Sequence, residues 1–186
     1  MINMTKEIYI LLGPQGSGKS TQADLIAKKL KFSKIVESNL LKKEANKKTQ
    51  NGKKIKRIME KGDLVPFEIS CDLLFKKIKS TKKNKILIDG FPREPEQAHV
   101  LDYFIYANKY NLKEVIYIDT SINECIKRMK LRKRADDKPN IIKERLKLYF
   151  KDTKPLIKYY KKQNKLIKVN GNGSIESIFN NILKKI

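Results

Sequence analysis

The glycine-rich stretch Leu11–Gln22 constrains the fold of this chain more than any other feature. It reads LLGPQGSGKSTQ, and its G-x4-G-K-S spacing is that of a phosphate-binding loop. The apolar run Ile8–Leu12 leads into it, and a segment with helical periodicity follows it. Such a loop requires strand, turn and helix in this order, so the sequence predicts an anion site at the start of a helix.

The chemistry of the loop follows from its backbone. Gly13, Gly16 and Gly18 permit positive φ values and close main-chain approach, so that successive N–H groups can point at phosphate oxygens. The following helix then begins at the bound phosphate with the positive end of its dipole. Lys19 is predicted to reach the β- and γ-phosphates of a nucleotide, and the Ser20 hydroxyl to hold Mg²⁺.

The rest of the chain alternates short β-rich runs with longer segments of helical periodicity. This alternation predicts an α/β domain of the P-loop NTPase type, in which helices flank a five-stranded parallel sheet. In such sheets the ligand site lies beyond the carboxyl ends of the strands, where Gly13, Asp89 and Asp119 fall. The predicted strands are Ile8–Leu12, Lys34–Glu37, Lys85–Asp89, Val115–Asp119 and Leu166–Val169.

Two stretches do not fit this core and are interpreted as attachments to a single domain that spans residues 1–186. Ser38–Val65 is polar and lysine-rich, and it is predicted to form a small helical insertion. Lys127–Lys138 is a charge run that is too polar for a buried crossover, and it is interpreted as a short lid.

The charge balance leaves one further class of partner open. The chain has 186 residues, with 43 Lys and Arg against 20 Asp and Glu, a net charge of +23. Such an excess attracts polyanions, so nucleic acid remains a candidate partner. The lysines are scattered along the whole chain, however, and no tail or single basic segment collects them.

The cysteines bear on metal sites and disulfides, and the hydropathy bears on membrane insertion. Cys71 and Cys125 form no metal-binding or disulfide pattern, so we expect no zinc site and no disulfide framework. The N-terminal apolar run is too short to span a membrane and has no signal-peptide cleavage pattern, so a cytoplasmic protein is expected. His99, the sole histidine, is interpreted as a helix-surface residue.

A second motif, LIDGFPREPEQA, limits the reactions that the phosphate loop could serve. Asp89 ends a buried strand beside the phosphate loop, where a carboxylate can orient the waters around Mg²⁺. Gly90, Phe91 and Pro92 then form a stiff turn that presents Arg93 to the site. The guanidinium fork of Arg93 suits a phosphate other than the one that the loop holds.

Together with KRMKLRKRADD and IIKERLKLYFKDTKPLIKYY, these motifs follow the order and spacing of the adenylate kinases and of their close relatives, the UMP/CMP kinases. The resemblance covers nearly the whole chain. Because the stretch between Arg128 and Arg134 is brief, the chain resembles the short-lid form, which lacks the zinc-binding or hairpin lid. Members of this form are usually monomeric, so a monomer is expected.

The resemblance implies a role for each matching residue. Lys19 and the arginines Arg93, Arg128, Arg134 and Arg145 would act on the phosphates being transferred. The implied ATP-binding residues are Gly16, Ser17, Gly18, Lys19, Ser20, Thr21, Arg128 and Gly173, with Mg²⁺ at Ser20 and, partly through water, Asp89. The implied acceptor-binding residues are Glu37, Lys42, Asp63, Leu64, Val65, Gly90, Phe91, Pro92, Arg93, Gln97, Arg134 and Arg145.

The acceptor side departs from the family pattern. Relatives usually carry Ser-Thr-Gly-Asp-x-Leu-Arg where this chain has VESNLLK, so Lys42 takes the place of the phosphate-binding arginine and Glu37 that of the base-contacting threonine. An inward-facing Glu37 could accept hydrogen bonds from guanine or from the cytosine amino group. The alternative, in which Glu37 points to solvent and reads nothing, is the orientation that we expect.

The predicted function is reversible phosphoryl transfer from ATP to AMP, with Mg²⁺. AMP is favoured because the UMP/CMP kinases tend to have asparagine near the position of Gln97. A kinase for UMP, CMP or another monophosphate is the alternative within the enzyme class. An RNA-associated ATPase or assembly factor on the same fold is the alternative outside it. The retained arginines argue against that reading, so nucleic acid is not a required partner, and no membrane partner is expected.

Overall fold

The computed structural model describes residues 5–61, 63, 65–132 and 139–186. The predicted five-stranded parallel sheet is confirmed, with the strand order β2-β3-β1-β4-β5. Every neighbouring pair of strands in it is parallel. The strands are β1 (Glu7–Leu12), β2 (Ser33–Val36), β3 (Lys85–Asp89), β4 (Asn111–Asp119) and β5 (Leu166–Asn170).

Helices cover both faces of this sheet, which is why its central strands are almost continuously apolar. They are α1 (Lys19–Lys29), α2 (Glu37–Ala45), α3 (Gln50–Lys61), α4 (Phe67–Ser80), α5 (Pro95–Ala107), α6 (Ile122–Arg132), α7 (Pro139–Leu148), α8 (Pro155–Lys162) and α9 (Ile175–Leu183). A π-helical turn, Tyr149–Thr153, joins α7 to α8. No helix in the described part of the chain is long and apolar enough to cross a membrane.

Strand β1 divides the core into two layers through the two-residue period of its side chains. Ile8 and Ile10 enter one buried cluster with residues of α4, α5 and α8. Tyr9 and Leu11 enter the other, with residues of α1 and α9. The strand is therefore held from both sides, and the phosphate loop that follows it starts from a rigid position.

The predicted insertion forms helices α2 and α3, which pack around a small core of their own. Leu41 of α2, Ile55 of α3 and Val65 are buried together in this core. Strand β2 ends at Val36, so Glu37 begins helix α2 and does not end the strand as predicted. This change determines where the Glu37 side chain lies.

The predicted lid stretch Lys127–Lys138 is helical over its first part, because α6 continues to Arg132. Cys125 and Met129, one helical turn apart, are buried against Ile142 and Leu146 of α7. This apolar face within the charge run fixes the helix. Residues 133–138 lie outside the described residues.

Candidate active site

A main cavity of about 650 Å³ opens at the carboxyl ends of strands β1 and β3, where a parallel sheet of this kind places its ligand. It contains most of the site residues predicted from the sequence. Those lining it are Gly16, Gly18, Lys19, Ser20, Thr21, Asp89, Gly90, Pro92, Arg93, Arg128, Arg145 and Gly173.

The phosphate loop adopts the backbone that its glycines were predicted to allow. Gly13 has φ 147° and Gly16 has φ 84°, values that other residues rarely adopt. A Cβ atom on Gly16 would lie 2.4 Å from the Cys125 carbonyl oxygen, so α6 also approaches too closely for any side chain. Ser17, which was predicted to bind ATP, is fully buried and is not among the residues that line the cavity.

Lys19 folds back over its own loop. Its Nζ donates hydrogen bonds to the carbonyl oxygens of Gly13, at 2.6 Å, and Pro14, at 2.8 Å. Burial lowers the pKa of Lys19 to about 8, although the nearby Asp89 carboxylate acts in the opposite direction. Lys19 lines the main cavity, and its ammonium group has three N–H donors, of which these two carbonyls use two.

The side chains of Ser20 and Asp89, which were predicted to hold Mg²⁺, are in contact with each other. The Ser20 Oγ donates a hydrogen bond of 2.6 Å to Oδ2 of Asp89. Asp89 is 3% exposed and ends strand β3, while Ser20 is an exposed residue in the first turn of α1. Hydroxyl and carboxylate oxygens are ligands that suit Mg²⁺, which usually takes one or two protein groups and completes its shell with phosphates and water. The pair therefore fits Mg²⁺.

Arg93 is fixed by its neighbours from three directions. Its Nε donates to the Gly90 carbonyl oxygen at 2.7 Å, and its backbone N–H donates to Oε1 of Gln97 at 2.8 Å. The Thr153 hydroxyl, from the π-helical turn, donates to the Arg93 carbonyl oxygen at 2.7 Å. Phe91, which was predicted to bind the acceptor, is fully buried in the core and is not among the lining residues of either cavity.

A small cavity of about 80 Å³ adjoins the main cavity on the side of helices α2 and α3. Ser38, Arg93 and Arg145 line both cavities and form the boundary between them. Its other lining residues are Glu37, Leu41, Met59, Asp63, Val65 and Gln97, four of which were predicted to bind the acceptor. Predicted site residues Leu64 and Arg134 lie outside the described residues.

The expectation that Glu37 points to solvent is wrong. Glu37 is only 3% exposed and lines the small cavity, with its Oε2 2.9 Å from Nε of Arg93. Burial raises the pKa of the Glu37 carboxyl, and the Arg93 charge opposes that change. As the first residue of α2, Glu37 faces inward from the point where the insertion leaves the sheet.

Lys42 is not brought to either cavity. It lies on helix α2 as an exposed residue, directly after the buried Leu41. Successive residues of a helix are turned by about 100°, so a buried Leu41 directs the next side chain away from the core. The predicted contact of Lys42 with the acceptor phosphate has no support in this arrangement.

Arg128 connects three parts of the site. Its Nε donates to Glu124 at 2.8 Å, and its terminal amines donate to the carbonyl oxygens of Ser17, at 3.4 Å, Gly171, at 3.0 Å, and Gly173, at 3.2 Å. Helix α6 is thereby tied to the phosphate loop and to the turn after β5. The carbonyl of Gly173, a residue predicted to bind ATP, is thus a hydrogen-bond acceptor for this arginine.

Sequence reasoning missed Arg132, which also lines the main cavity. It follows Arg128 by four residues on α6, so both side chains lie on one face of the helix. The Arg132 charge contributes to lowering the pKa of Lys19, so it acts on the phosphate-loop amine. The four-residue spacing was visible in the sequence, but the charge run had been interpreted only as a short lid.

The sequence model of the adenylate kinase family matches residues 11–165. The chain belongs to the adenylate kinase family. It is 36% identical to an adenylate kinase of Prochlorococcus marinus, with 97% of this chain and 99% of the relative covered. An adenylate kinase of Campylobacter curvus is 38% identical, with 97% and 98% covered. UMP-CMP kinase 1 of Oryza sativa is 35% identical, with 94% of this chain and 72% of the relative covered.

Membership in the adenylate kinase family accounts for the arrangement of the two cavities. Phosphoryl transfer between two nucleotides needs a donor site and an acceptor site that meet at positively charged groups. The chain is a nucleoside monophosphate kinase, and the recognition and the enzyme class inferred from the motifs are confirmed. The individual roles of the site residues stay predictions.

Proposed function

We propose that this chain transfers the terminal phosphoryl group of ATP to AMP, giving two ADP, with Mg²⁺ held at Ser20 and Asp89. The observation that carries the proposal is that Arg93 and Arg145 line both cavities. A phosphoryl group passing from the phosphate loop to a monophosphate in the small cavity crosses this boundary. Its negative charge is spread over three oxygens in the transition state, and guanidinium groups at the crossing point stabilise it.

The donor side is supported by the loop and its neighbours. The main cavity provides backbone N–H groups at the start of α1, the Lys19 amine and the Ser20–Asp89 pair on one wall. When bound, Mg²⁺ neutralises part of the phosphate charge. The Ser20 hydroxyl and the Asp89 carboxylate would hold the ion through their oxygen atoms. No general base is required, because the attacking oxygen already belongs to an ionised phosphate.

Gln97, which is 1% exposed and lines the small cavity, favours adenine as the acceptor base. One N–H of its amide donates to Oε1 of Glu94 at 3.0 Å, so the second N–H remains to donate to a ring nitrogen such as N1 of adenine. Its Oε1 accepts one hydrogen bond, from Arg93, and has a second lone pair for the adenine amino group. Val65, Leu41 and Met59 supply an apolar wall for the ring.

We expect AMP to be the best acceptor in a panel of AMP, dAMP, GMP, CMP and UMP, with ATP and Mg²⁺ as donor. Steady-state rates at several acceptor concentrations measure kcat/KM for each. A matched test supplies ADP alone, which should be converted to ATP and AMP. A lead for CMP or UMP would favour the UMP/CMP kinase alternative, to which the rice relative gives weight. ATP hydrolysis without conversion of ADP would overturn kinase activity itself.

The lowered pKa of Lys19 gives an independent prediction for the donor site. Phosphate anions beside the amine favour its charged form, so bound ATP should raise its pKa from about 8. Binding of ATP at about pH 8.5 is therefore expected to take up protons. Calorimetry in buffers of different ionisation enthalpy measures this uptake.

The control for this measurement is Lys19→Met, which has no titrating amine. The buffer dependence of the binding enthalpy should largely disappear in this variant. An equal proton uptake in the parent and in Lys19→Met would show that another group titrates, and would place Lys19 away from the phosphates.

A further inference from the structure

The Glu37 carboxylate has no part in the proposed transfer, yet it is buried within the acceptor side of the site. It is 3% exposed and lines the small cavity. Burial of a carboxylate is unfavourable unless a positive group or hydrogen-bond donors compensate for it. Among the described residues the only ion pair of Glu37 is with Arg93, at 2.9 Å.

The Glu37–Arg93 pair involves the Nε atom of the guanidinium, which leaves its terminal amines on the other side. The Nε–H of the guanidinium donates to the Gly90 carbonyl oxygen, 2.7 Å away, and Oε2 of Glu37 lies 2.9 Å from the same Nε. Glu37 and Gly90 thus contact the guanidinium at its Nε atom, and we call this side of the group its inner edge. The hydrogen bond and the ion pair that the Arg93 side chain makes with described residues both use Nε.

Gly90 makes this close grouping possible. It has φ 90°, and a Cβ atom built on it would lie 3.3 Å from one terminal amine of Arg93 and 3.7 Å from Oε2 of Glu37. The carboxylate, the carbonyl and the inner edge of the guanidinium therefore pack against one another. Arg93 itself is accessible to the two cavities, and its side chain is 29% exposed against 4% for that of Glu37.

We propose that Glu37 is a positioning residue, whose carboxylate holds the inner edge of Arg93 so that the two terminal amines face the phosphate of the acceptor. A guanidinium binds phosphate best through its fork, and an arginine that is fixed beforehand loses less freedom when it does so. The proposal assigns the Glu37 carboxylate to Arg93 and not to the acceptor base. The inference rests on the proposed function, because it assigns Arg93 to the acceptor phosphate.

The Glu37→Gln variant tests this role because it keeps the size of the side chain and removes its charge. The expected result is a loss of about tenfold in kcat/KM, by analogy with outer-shell carboxylates that orient metal ligands. Because all monophosphates share the phosphate, the loss should be of similar size for AMP, GMP, CMP and UMP, with KM for ATP unchanged. The matched control is Glu44→Gln, since Glu44 lies on the same helix and pairs with Lys47 outside both cavities.

A double-mutant cycle separates positioning from a structural effect. Lysine has neither the Nε–H edge nor the fork, so in an Arg93→Lys background Glu37→Gln should cause little further loss of kcat/KM. Thermal midpoints of all four proteins identify any loss that comes from destabilisation. An equal loss in both backgrounds would make Glu37 structural only and would overturn the proposal.

Two other results would overturn it as well. A change in the ranking of acceptors in Glu37→Gln would make Glu37 a base selector, and a lower KM for every acceptor at unchanged kcat would make it a competitor of the phosphate. If the parent protein transfers a phosphoryl group to no monophosphate, the proposed function fails and this inference with it. If the parent is active and the cycle shows no coupling, only the inference fails.

Discussion

Replacing Lys19 with alanine is expected to remove nearly all phosphoryl transfer and to leave the fold intact. The amine is the positive group of the phosphate loop, and it donates hydrogen bonds to the carbonyl oxygens of Gly13 and Pro14 in that loop. Losing one preorganised donor of this kind costs about two to three orders of magnitude in rate. The measurement is kcat with saturating ATP and AMP.

The stability of Lys19→Ala serves as its control. The pKa of Lys19 is lowered on folding from 10.5 to about 8, so the charged amine destabilises the folded state in full below about pH 8. That cost disappears as pH rises from 8 towards 10.5, where the amine is neutral in both states. The thermal midpoint of Lys19→Ala without nucleotide should therefore be no lower than that of the parent at pH 7. Normal turnover by this variant would refute the assignment of the phosphate loop.

The sheet could be predicted because each strand carries its own signal. Buried parallel strands are continuous apolar runs, and the phosphate loop marks the end of the first. The largest difference is at β4, which begins at Asn111 and not at Val115. Its polar start, NLKE, has no apolar run, and Asn111 is recruited by pairing with Glu7 of β1. Pairing of this kind depends on a neighbouring strand and leaves no local signal.

The site residues also fall into two groups, those that the sequence could place and those that it could not. Residues whose place is fixed by a short motif, such as Ser20, Asp89 and Arg93, lie where the motif predicts. Glu37 and Lys42 do not, because their directions depend on where helix α2 begins and on how it packs against α3 and α4. A helix that starts one residue earlier turns every following side chain by about 100°. That phase is set by the burial of Leu41 in the core of the insertion, which spacing alone does not reveal.

Arg145→Ala is expected to lower kcat by about two orders of magnitude, with a smaller effect on the affinity for ATP. Arg145 lies on helix α7 beside Leu146, whose burial against α6 fixes the helix. It lines both cavities, so under the proposed function its guanidinium is expected to act on the charge that develops as the phosphoryl group moves between them. An interaction that strengthens only in the transition state changes kcat far more than substrate binding.

Lys147→Ala is the matched control, because Lys147 lies on the same helix, pairs with Glu144 at 3.6 Å and lines neither cavity. It should retain parental kcat and both KM values, since an exposed ion pair of this kind contributes little. Steady-state kinetics with ATP and AMP varied in turn separate the two parameters for both variants. If Arg145→Ala raised only the KM for the acceptor and left kcat unchanged, Arg145 would bind the ground state and the transition state equally. The stabilisation of the transferring group would then have to come from the other arginines of the boundary and of α6, Arg93, Arg128 and Arg132.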